Sequence, residues 1–243
     1  MGSEMCIRDR ICMNYLVIDL EMCKVPKDYR NKNYKYASEI IQIGAVLLDE
    51  RYRRRDEICL YVHPEHGVID NFIANMTGIK NRQIKNAPKL RERLLELTEW
   101  IGDREYQVFA WSNSDFSQLS HEVRSKKLQD EKIQSFMAPE RWIDYQEVFG
   151  KKYSFEKAVS LQEALMLCDL TQDGRMHDGL DDALNTAKLI RKLELNPEYQ
   201  LICRQTLTEE ESDPLNICLG DLFAGLHICL LYTSPSPRDG LLS

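Results

Sequence analysis

The sequence predicts an α/β domain of about 180 residues, a usual domain size, built on a mixed β-sheet with helices on both faces. Two observations support this fold class. Three apolar segments joined by short links come first, which is the pattern of an antiparallel meander. Helical and strand-like segments then alternate, which is typical of a sheet covered by helices on both sides. Both patterns lie within residues 13–195, which we take as the domain.

Composition limits the class of protein. The chain has 243 residues, 43% of them hydrophobic, and a net charge of -7. This hydrophobic content is sufficient for a packed core. No apolar run approaches the roughly 18–20 residues that a membrane-spanning helix needs, so we expect no membrane partner. The acidic balance disfavours binding of polyanions through overall charge, but it leaves room for metal ions and a local basic rim.

The cysteines and the two chain ends add further expectations. The eight cysteines form no C-x-x-C pair and no zinc-binding spacing. With no signal peptide, this indicates reduced thiols in a cytoplasmic protein. Residues 1–12 and 228–243 resemble translated sequencing-adapter sequence and are expected to be non-native, with Met13 as the natural initiator. Residues 196–227 are a C-terminal extension of uncertain structure.

The first strand is predicted at Tyr15–Met22, with the sequence YLVIDLEM. Side chains alternate along a strand, so Asp19 and Glu21 lie on one face. Two buried carboxylates repel each other and cost several kcal/mol unless a cation lies between them. Mg²⁺ and Mn²⁺ prefer carboxylate oxygen. An edge strand with two solvated acids would show the same short pattern, so the rest of the chain has to decide.

The next segments complete the meander. Lys24–Ser38 is polar and is expected to form a loop over the mouth of the carboxylate site. Ile40–Leu48 is an almost continuous apolar run, as expected of a strand buried on both faces. A charged turn leads to a third strand at Glu57–Val62, and Asn71–Ala87 is predicted to form a short helix and a loop.

Helices and strands then alternate. Pro88 suits the first turn of a helix that ends at Gly102, because apolar residues recur at helical spacing at Leu90, Leu94, Leu97 and Ile101. The remaining elements are predicted as a strand at Gln107–Trp111, a helix at Asp115–Leu128 capped by Ser112 to Ser114, a strand at Arg141–Tyr145, and helices at Leu161–Cys168 and Asp178–Leu193.

Asp115 follows a short apolar strand and opens a helix. An acid in this position commonly complements the helix dipole, without any further role. A strand parallel to the first one would, however, bring Asp115 next to Asp19 and Glu21. Ligand sites in α/β sheets favour this edge, so Asp115 is a candidate third acid.

The segment His177–Ile190, HDGLDDALNTAKLI, supplies the last candidates. Asp178 is a plausible N-cap with Asp181 three residues later, which is a capping-box pattern. Asp182 is then left free. His177 lies in the loop before the helix and can bend back over the cavity that Asp182 enters, although a loop histidine is by itself more often a surface residue.

Together these motifs resemble the DEDDh 3′→5′ exonucleases, which have a ribonuclease H-like fold, and within them the Eri/KapD-like branch. The resemblance covers residues 14–193 and depends on the order and spacing of six motifs. They are VIDLE at Val17–Glu21, EIIQIGAV at Glu39–Val46, MTGI at Met76–Ile79, AWSNSD at Ala110–Asp115, WID at Trp142–Asp144 and HDGLDDA at His177–Ala183.

The resemblance implies a role for each candidate. Asp19, Glu21, Asp115 and Asp182 match the metal-binding acids of the family, and His177 matches its general base. Two Mg²⁺ or Mn²⁺ ions would bracket the scissile phosphate and the product would be a nucleoside 5′-monophosphate.

The resemblance also suggests substrate-binding residues. Many relatives carry an aromatic residue where Ser114 stands here, so Trp111 or Phe116 is expected to replace it. The other candidates are Met22 at the terminal nucleotide, Thr77, and the basic residues Lys80 and Arg82, for which a solvated face is the alternative. Arg124, Lys126 and Lys127 are further basic candidates, with a solvated helix face as the alternative.

The function predicted from the sequence is a metal-dependent 3′→5′ exonuclease acting on single-stranded ends. RNA is favoured over DNA on the branch resemblance alone. A DNA-directed proofreading or repair exonuclease of the same fold is the first alternative. A catalytically silent nucleic-acid-binding adaptor is disfavoured because all five motif residues are present. A carboxylate-pair hydrolase acting on sugars would leave His177 and Asp115 without roles. Protein partners are unknown.

Overall fold

The structure is a computed structural model that describes residues 13–29 and 37–202. These residues fall within one compact unit of the chain. The expectations for 1–12 and 228–243, and for most of the loop and of the C-terminal extension, lie outside the described residues. No helix in the described part is long and apolar enough to cross a bilayer.

The described strands form one five-stranded mixed sheet in the order β3-β2-β1-β4-β5. The first three pair antiparallel, whereas β4 and β5 run parallel to β1, so the predicted meander is confirmed. The strand bounds are β1 Asn14–Lys24, β2 Ser38–Leu48, β3 Arg54–Tyr61, β4 Tyr106–Ala110 and β5 Trp142–Asp144.

Helices cover both faces of the sheet, as predicted. The helix bounds are α1 Asn71–Thr77, α2 Asn81–Ile84, α3 Leu90–Ile101, α4 Asn113–Ser125, α5 Glu131–Phe136, α6 Tyr145–Tyr153, α7 Leu161–Leu167 and α8 Gly179–Leu195. Side chains alternate along β1, so Leu16 and Ile18 pack with α3, α4 and α5, and Val17 packs with α6, α7 and α8.

Three details differ from the sequence-based expectations. Helices α5 and α6 were not predicted. Pro88 lies outside α3, because Lys89 is the N-cap. Helix α4 begins at Asn113, capped by Ser112, and it ends at Ser125 rather than at Leu128.

Candidate active site

Strand β1 carries two of the candidate acids at the centre of the sheet. Asp19 and Glu21 are two residues apart, so both project from the face that α8 covers. Asp19 is half-buried, and the Glu21 side chain is only 7% exposed. Two carboxylates are thus held close together inside the protein.

Helix α4 brings the third acid to β1. It begins just beyond β4, which runs parallel to β1 and pairs with it. Asp115, in the first turn of α4, is 5% exposed, and its Oδ1 accepts the backbone N–H of Leu20 at 3.2 Å. Because β4 lies beside β1, the side chain of Asp115 reaches the backbone of Leu20, the residue between Asp19 and Glu21.

The start of α8 lies directly against the backbone of β1 and β2. A Cβ atom added to Gly44 would lie 2.1 Å from the carbonyl carbon and oxygen of Gly179, a separation that real atoms do not tolerate. One added to Gly179 would lie 3.2 Å from the carbonyl oxygen of Asp19. Glycine at both positions lets the two backbones touch and brings Asp182, in the first turn of α8, into the site.

Gln42 holds this helix end in place, and the sequence reasoning did not single it out. Its side chain is fully buried on β2 opposite Glu21. Its Oε1 accepts the N–H of Gly179 at 2.9 Å, and its Nε2 donates to Asp178 Oδ2 at 3.3 Å. The available signal was one amide residue within the apolar run IIQIGAV.

His177 occupies a constrained loop just before α8. Its φ of 60° is in the left-handed region, and its backbone N–H donates to Asp182 Oδ2 at 2.9 Å. The imidazole is exposed, with one ring nitrogen within 4.8 Å of a Glu21 oxygen and an Asp182 oxygen. His177 thus lies beside the acids rather than pointing away from them.

The same loop is tied down at a second point. Arg175 donates its guanidinium to the carbonyl of Asn75 at 2.5 Å, and its backbone N–H to Asp181 Oδ2 at 2.7 Å. Asp181 therefore stabilises the loop instead of completing the expected capping box. Asp178 does cap α8, because its Oδ1 accepts the N–H groups of Leu180 and Asp181.

Burial raises the pKa of all four carboxyl groups, and nearby acids add to the shift. Burial raises the pKa of Asp19 well above its ordinary value, and Asp115, Asp182 and Glu21 add to the effect. Burial, then Asp182, raises the pKa of Glu21 to about 8. Burial raises the pKa of Asp115 to about 7 and also raises that of Asp182. The site thus favours bound positive charge.

The donor set fits divalent cations that prefer oxygen. In residues 13–29 and 37–202, no lysine or arginine forms an ion pair with any of the four acids. Glu21, Asp182 and His177 offer three ligand atoms within 4.8 Å of one another. Asp19 and Asp115 lie outside this triplet but within electrostatic reach of it. Hard cations such as Mg²⁺ and Mn²⁺ match this carboxylate-rich environment.

A buried ion cluster anchors α4 at its other end. Lys126 Nζ lies 3.0 Å from Glu39 Oε1 and 2.9 Å from Glu122 Oε2, and all three side chains are largely buried. Burial alone would raise the pKa of Glu39, but Lys126 and the N–H groups of His66 and Gly67 lower it. Lys126 is therefore enclosed and does not offer its charge to a substrate, contrary to the expectation for the basic end of α4.

The predicted substrate-binding residues fall into different environments. Met22 is half-buried beside Glu21, after a register shift in β1, and Lys80 and Arg82 are exposed around the start of α2. Thr77 is buried, and its hydroxyl donates to Ile73 O and accepts from Ile79 N, so it closes helix α1.

Trp111 and Phe116, the two aromatic candidates, are separated by the sheet. Trp111 is 7% exposed, packs on Phe149 and donates its indole N–H to Val159 O at 3.2 Å. It therefore stabilises the core and offers no face to a nucleobase, so the structure does not support its expected stacking role. Phe116 is half-buried on the other side, next to Asp115, and remains accessible.

Comparison with known proteins places this site in a family. The family model described as Exonuclease, of the RNase T type, matches residues 16–190. The chain belongs to this exonuclease family. The matched segment runs from β1 into α8 and so includes all four acids and His177.

Among curated relatives of this exonuclease chain, human "ERI1 exoribonuclease 2" is 29% identical over 202 residues, which are 73% of this chain and 28% of that protein. Mouse "3′-5′ exoribonuclease 1" is 28% identical over 180 residues, 69% of this chain and 50% of that protein. The chain therefore spans half or less of the length of these relatives. With the family match, they confirm the predicted DEDDh 3′→5′ exonuclease family.

Solved structures show the same fold. The nuclease domain of 3′hExo, a DEDDh family member bound to rAMP, superposes with a TM-score of 0.64 at 23% identity, covering 77% of this chain and 94% of that one. Cell-death related nuclease 4 gives a TM-score of 0.59 at 21% identity, and the superposition covers 75% of this chain and 64% of that one. These neighbours confirm the predicted ribonuclease H-like fold.

Proposed function

We propose that this exonuclease-family chain hydrolyses single-stranded nucleic acid from the 3′ end and releases nucleoside 5′-monophosphates, with RNA favoured over DNA. The observation that carries the proposal is the convergence of Asp19, Glu21, Asp115 and Asp182 with raised pKa values and His177 beside them. Two of these acids are buried and two are half-buried, and none is paired with a lysine or arginine in the part of the chain that the structure describes. Such a group is costly unless a cation balances it.

Two Mg²⁺ or Mn²⁺ ions are the proposed cofactors. Glu21 and Asp182, which lie in one cluster of ligand atoms, would hold one ion, and Asp115 would hold the other. Asp19, whose electrostatic neighbours include all three other acids, would be shared. When bound, such ions make water a stronger nucleophile and stabilise charge on the leaving oxygen.

His177 is the proposed general base. Its imidazole accepts a proton from the attacking water as the new P–O bond forms and the bond to the 3′ oxygen breaks. The leaving 3′ oxygen takes its proton from solvent. The exposure of His177 lets the ring return its proton to solvent, while its backbone bond to Asp182 fixes the loop.

The RNA preference is supported by the curated relatives, which are named exoribonucleases. RNA and DNA differ at the 2′-hydroxyl, so discrimination requires a residue that contacts this group. The cytoplasmic location expected from the sequence stays a prediction.

The test compares single-stranded RNA and DNA of the same sequence, labelled at the 5′ end, with Mg²⁺ or Mn²⁺ and with a chelator. We expect a ladder that shortens from the 3′ end, faster on RNA, and no ladder with the chelator. The Asp19→Ala variant should give no ladder. An equal ladder from this variant, or shortening from the 5′ end, would overturn the proposal.

A further inference from the structure

A groove runs along α4, and none of the proposed catalytic and metal-binding roles uses it. It consists of two adjoining cavities of about 320 and 660 Å³ that share Phe116 and Pro139. We call it the α4 groove. The smaller cavity is also lined by Ser112, Asn113 and Asp144, and the larger one by Ser120, Arg124 and Lys127.

The smaller cavity of the α4 groove begins at the turn of α4 that carries Asp115. Ser112 and Asn113 precede Asp115 by three and two positions, and Phe116 follows it directly. Phe116 packs against Trp142 with ring centroids 5.2 Å apart, and together the two rings provide an aromatic wall next to Asp115. The smaller cavity and its two rings thus adjoin the acid-bearing turn of α4.

The acids in the smaller cavity already have partners. Asp144 accepts the backbone N–H groups of Asn113 at 3.1 Å and Glu147 at 2.9 Å. Glu147 pairs with Lys151 at 2.5 Å. Their negative charge is thus partly compensated, which lowers the electrostatic barrier to a phosphate in this part of the groove.

The other end of the α4 groove is basic. Phe116, Ser120 and Arg124 recur every four residues and so share one face of α4 over about 12 Å. Arg124 and Lys127 are exposed, and neither forms an ion pair within the described residues. Two exposed cations thus lie on this end of the groove although the chain has a net charge of -7.

We propose that the α4 groove holds the single strand immediately upstream of the scissile phosphate. Bases stack on Phe116 and the neighbouring apolar wall, and Arg124 and Lys127 contact the backbone phosphates. Single-strand grooves combine stacking surfaces with cations along the backbone in this way. The inference rests on the proposed function, because it gives the strand an entry route to the same site.

The chemistry of the groove selects this occupant over a protein segment. An apolar helix or strand would cover the rings but would leave Arg124 and Lys127 without counter-charges. Each nucleotide of a single strand supplies a base that can stack on the aromatic rings and a phosphate that can pair with the two cations. Phe116, which lines both cavities, directly follows Asp115 in the chain, so the groove starts beside one of the acids.

The first test is the double variant Arg124→Gln/Lys127→Gln. We expect the KM for a short single-stranded RNA to rise with little change in kcat. The slope of log(1/KM) against log[salt] should become shallower by about 1.4, because each phosphate contact on a single strand contributes about 0.7. Cleavage of a nucleoside 5′-(p-nitrophenyl phosphate), which is too short to enter the groove, should be unchanged.

The matched control is Arg51→Gln/Arg54→Gln, which removes the same charge from the hairpin at the β3 edge of the sheet. It should leave the salt dependence as in the unmodified protein. Equal effects of the two double variants would mean that overall charge, and not the α4 groove, governs RNA binding, and would overturn the inference.

The second test locates the strand without turnover. RNA with 4-thiouridine near its 3′ end is bound to the full chain in the presence of chelator and cross-linked by light. We expect cross-links on peptides that contain Phe116, Ser120 or Lys127. Cross-links confined to other surfaces would overturn the inference. Cross-linking in the groove without exonuclease activity would instead reject the proposed function and leave the RNA-binding groove standing.

Discussion

The exposed imidazole of His177 lies close to Glu21 and Asp182, so the same position suits a proton acceptor and a metal ligand. We expect His177→Gln to lower kcat by about 10²–10⁴-fold, the usual contribution of a general base, with nearly unchanged Mg²⁺ affinity. Steady-state kinetics and Mg²⁺ titration followed by calorimetry separate the two roles. A parallel loss of metal affinity and activity would make His177 a ligand instead.

Gln42 reaches no reacting atom, but it fixes the end of α8 that carries Asp182. The Gln42→Met change keeps the size of the side chain and removes the hydrogen bonds to Gly179 and Asp178. We expect an about 10–100-fold loss of activity and of apparent Mg²⁺ affinity, as is typical when a residue that orients ligands is lost.

The control for this prediction is Gln146→Met. Gln146, in α6, donates its side-chain N–H to Val159 O at 2.8 Å. Its loss should affect stability but not the Mg²⁺ dependence of the rate. If both variants shifted the Mg²⁺ dependence equally, Gln42 would have only a structural role.

Single residues show where the sequence was sufficient and where it was not. Asp19 and Glu21 were recognisable because two residues that are two positions apart on a strand lie on the same face. Gln42 was not, because its partner Gly179 is 137 positions away. Trp111 and Lys126 were expected to contact the substrate because of their residue types. Both are buried instead, through contacts that form only when distant segments pack together.

Contact between α8 and the sheet requires that neither backbone carry a side chain where they touch. We expect Gly44→Ala to displace α8, because the new Cβ would overlap Gly179. Overpacking of this kind costs about 1–3 kcal/mol, and activity should fall further than stability because Asp182 moves with the helix. Chemical denaturation and RNA cleavage measure the two effects.

Gly150→Ala is the matched control. Gly150 lies within α6 and has open space around its added Cβ. Alanine there should stabilise the protein by about 0.5–1 kcal/mol and leave activity unchanged. If Gly44→Ala were equally harmless, the close approach of α8 would not govern the site.

Elements with strong periodicity were predictable, and those that depend on packing were not. The long strands β1 and β2 and the helix α3 matched their patterns closely. Helix α6 was missed although Tyr145, Phe149 and Tyr153 follow a helical spacing, because Gly150 interrupts the pattern. Helix α5, with six residues, is too short for periodicity to identify it.

For the whole molecule, the acid cluster predicts how stability depends on pH and metal. The folded-state pKa values of Glu21 and Asp115 are raised to about 8 and about 7. Groups with raised values stabilise the fold fully at low pH and lose this contribution as pH rises through the folded pKa. In chelator, the melting temperature should therefore fall between about pH 4 and pH 8, with each pKa unit worth about 1.4 kcal/mol.

Mg²⁺ should reverse this loss. At pH 8, a concentration 100 times the dissociation constant adds about 2.7 kcal/mol for one site. The increase should be smaller at pH 5, where protons compete for the carboxylates. In thermal denaturation, the Asp19→Asn/Glu21→Gln variant should show little dependence on Mg²⁺ and a weaker dependence on pH, because Asp115 and Asp182 keep their raised pKa values. A Mg²⁺ effect that persists in this variant would place the cation elsewhere.

The acids are supplied by both ends of the described chain, Asp19 and Glu21 by β1 and Asp182 by α8. A polypeptide emerging from the ribosome therefore lacks Asp182 until α8 has left the exit tunnel. The four acids cannot come together before nearly all of the described domain has been synthesised.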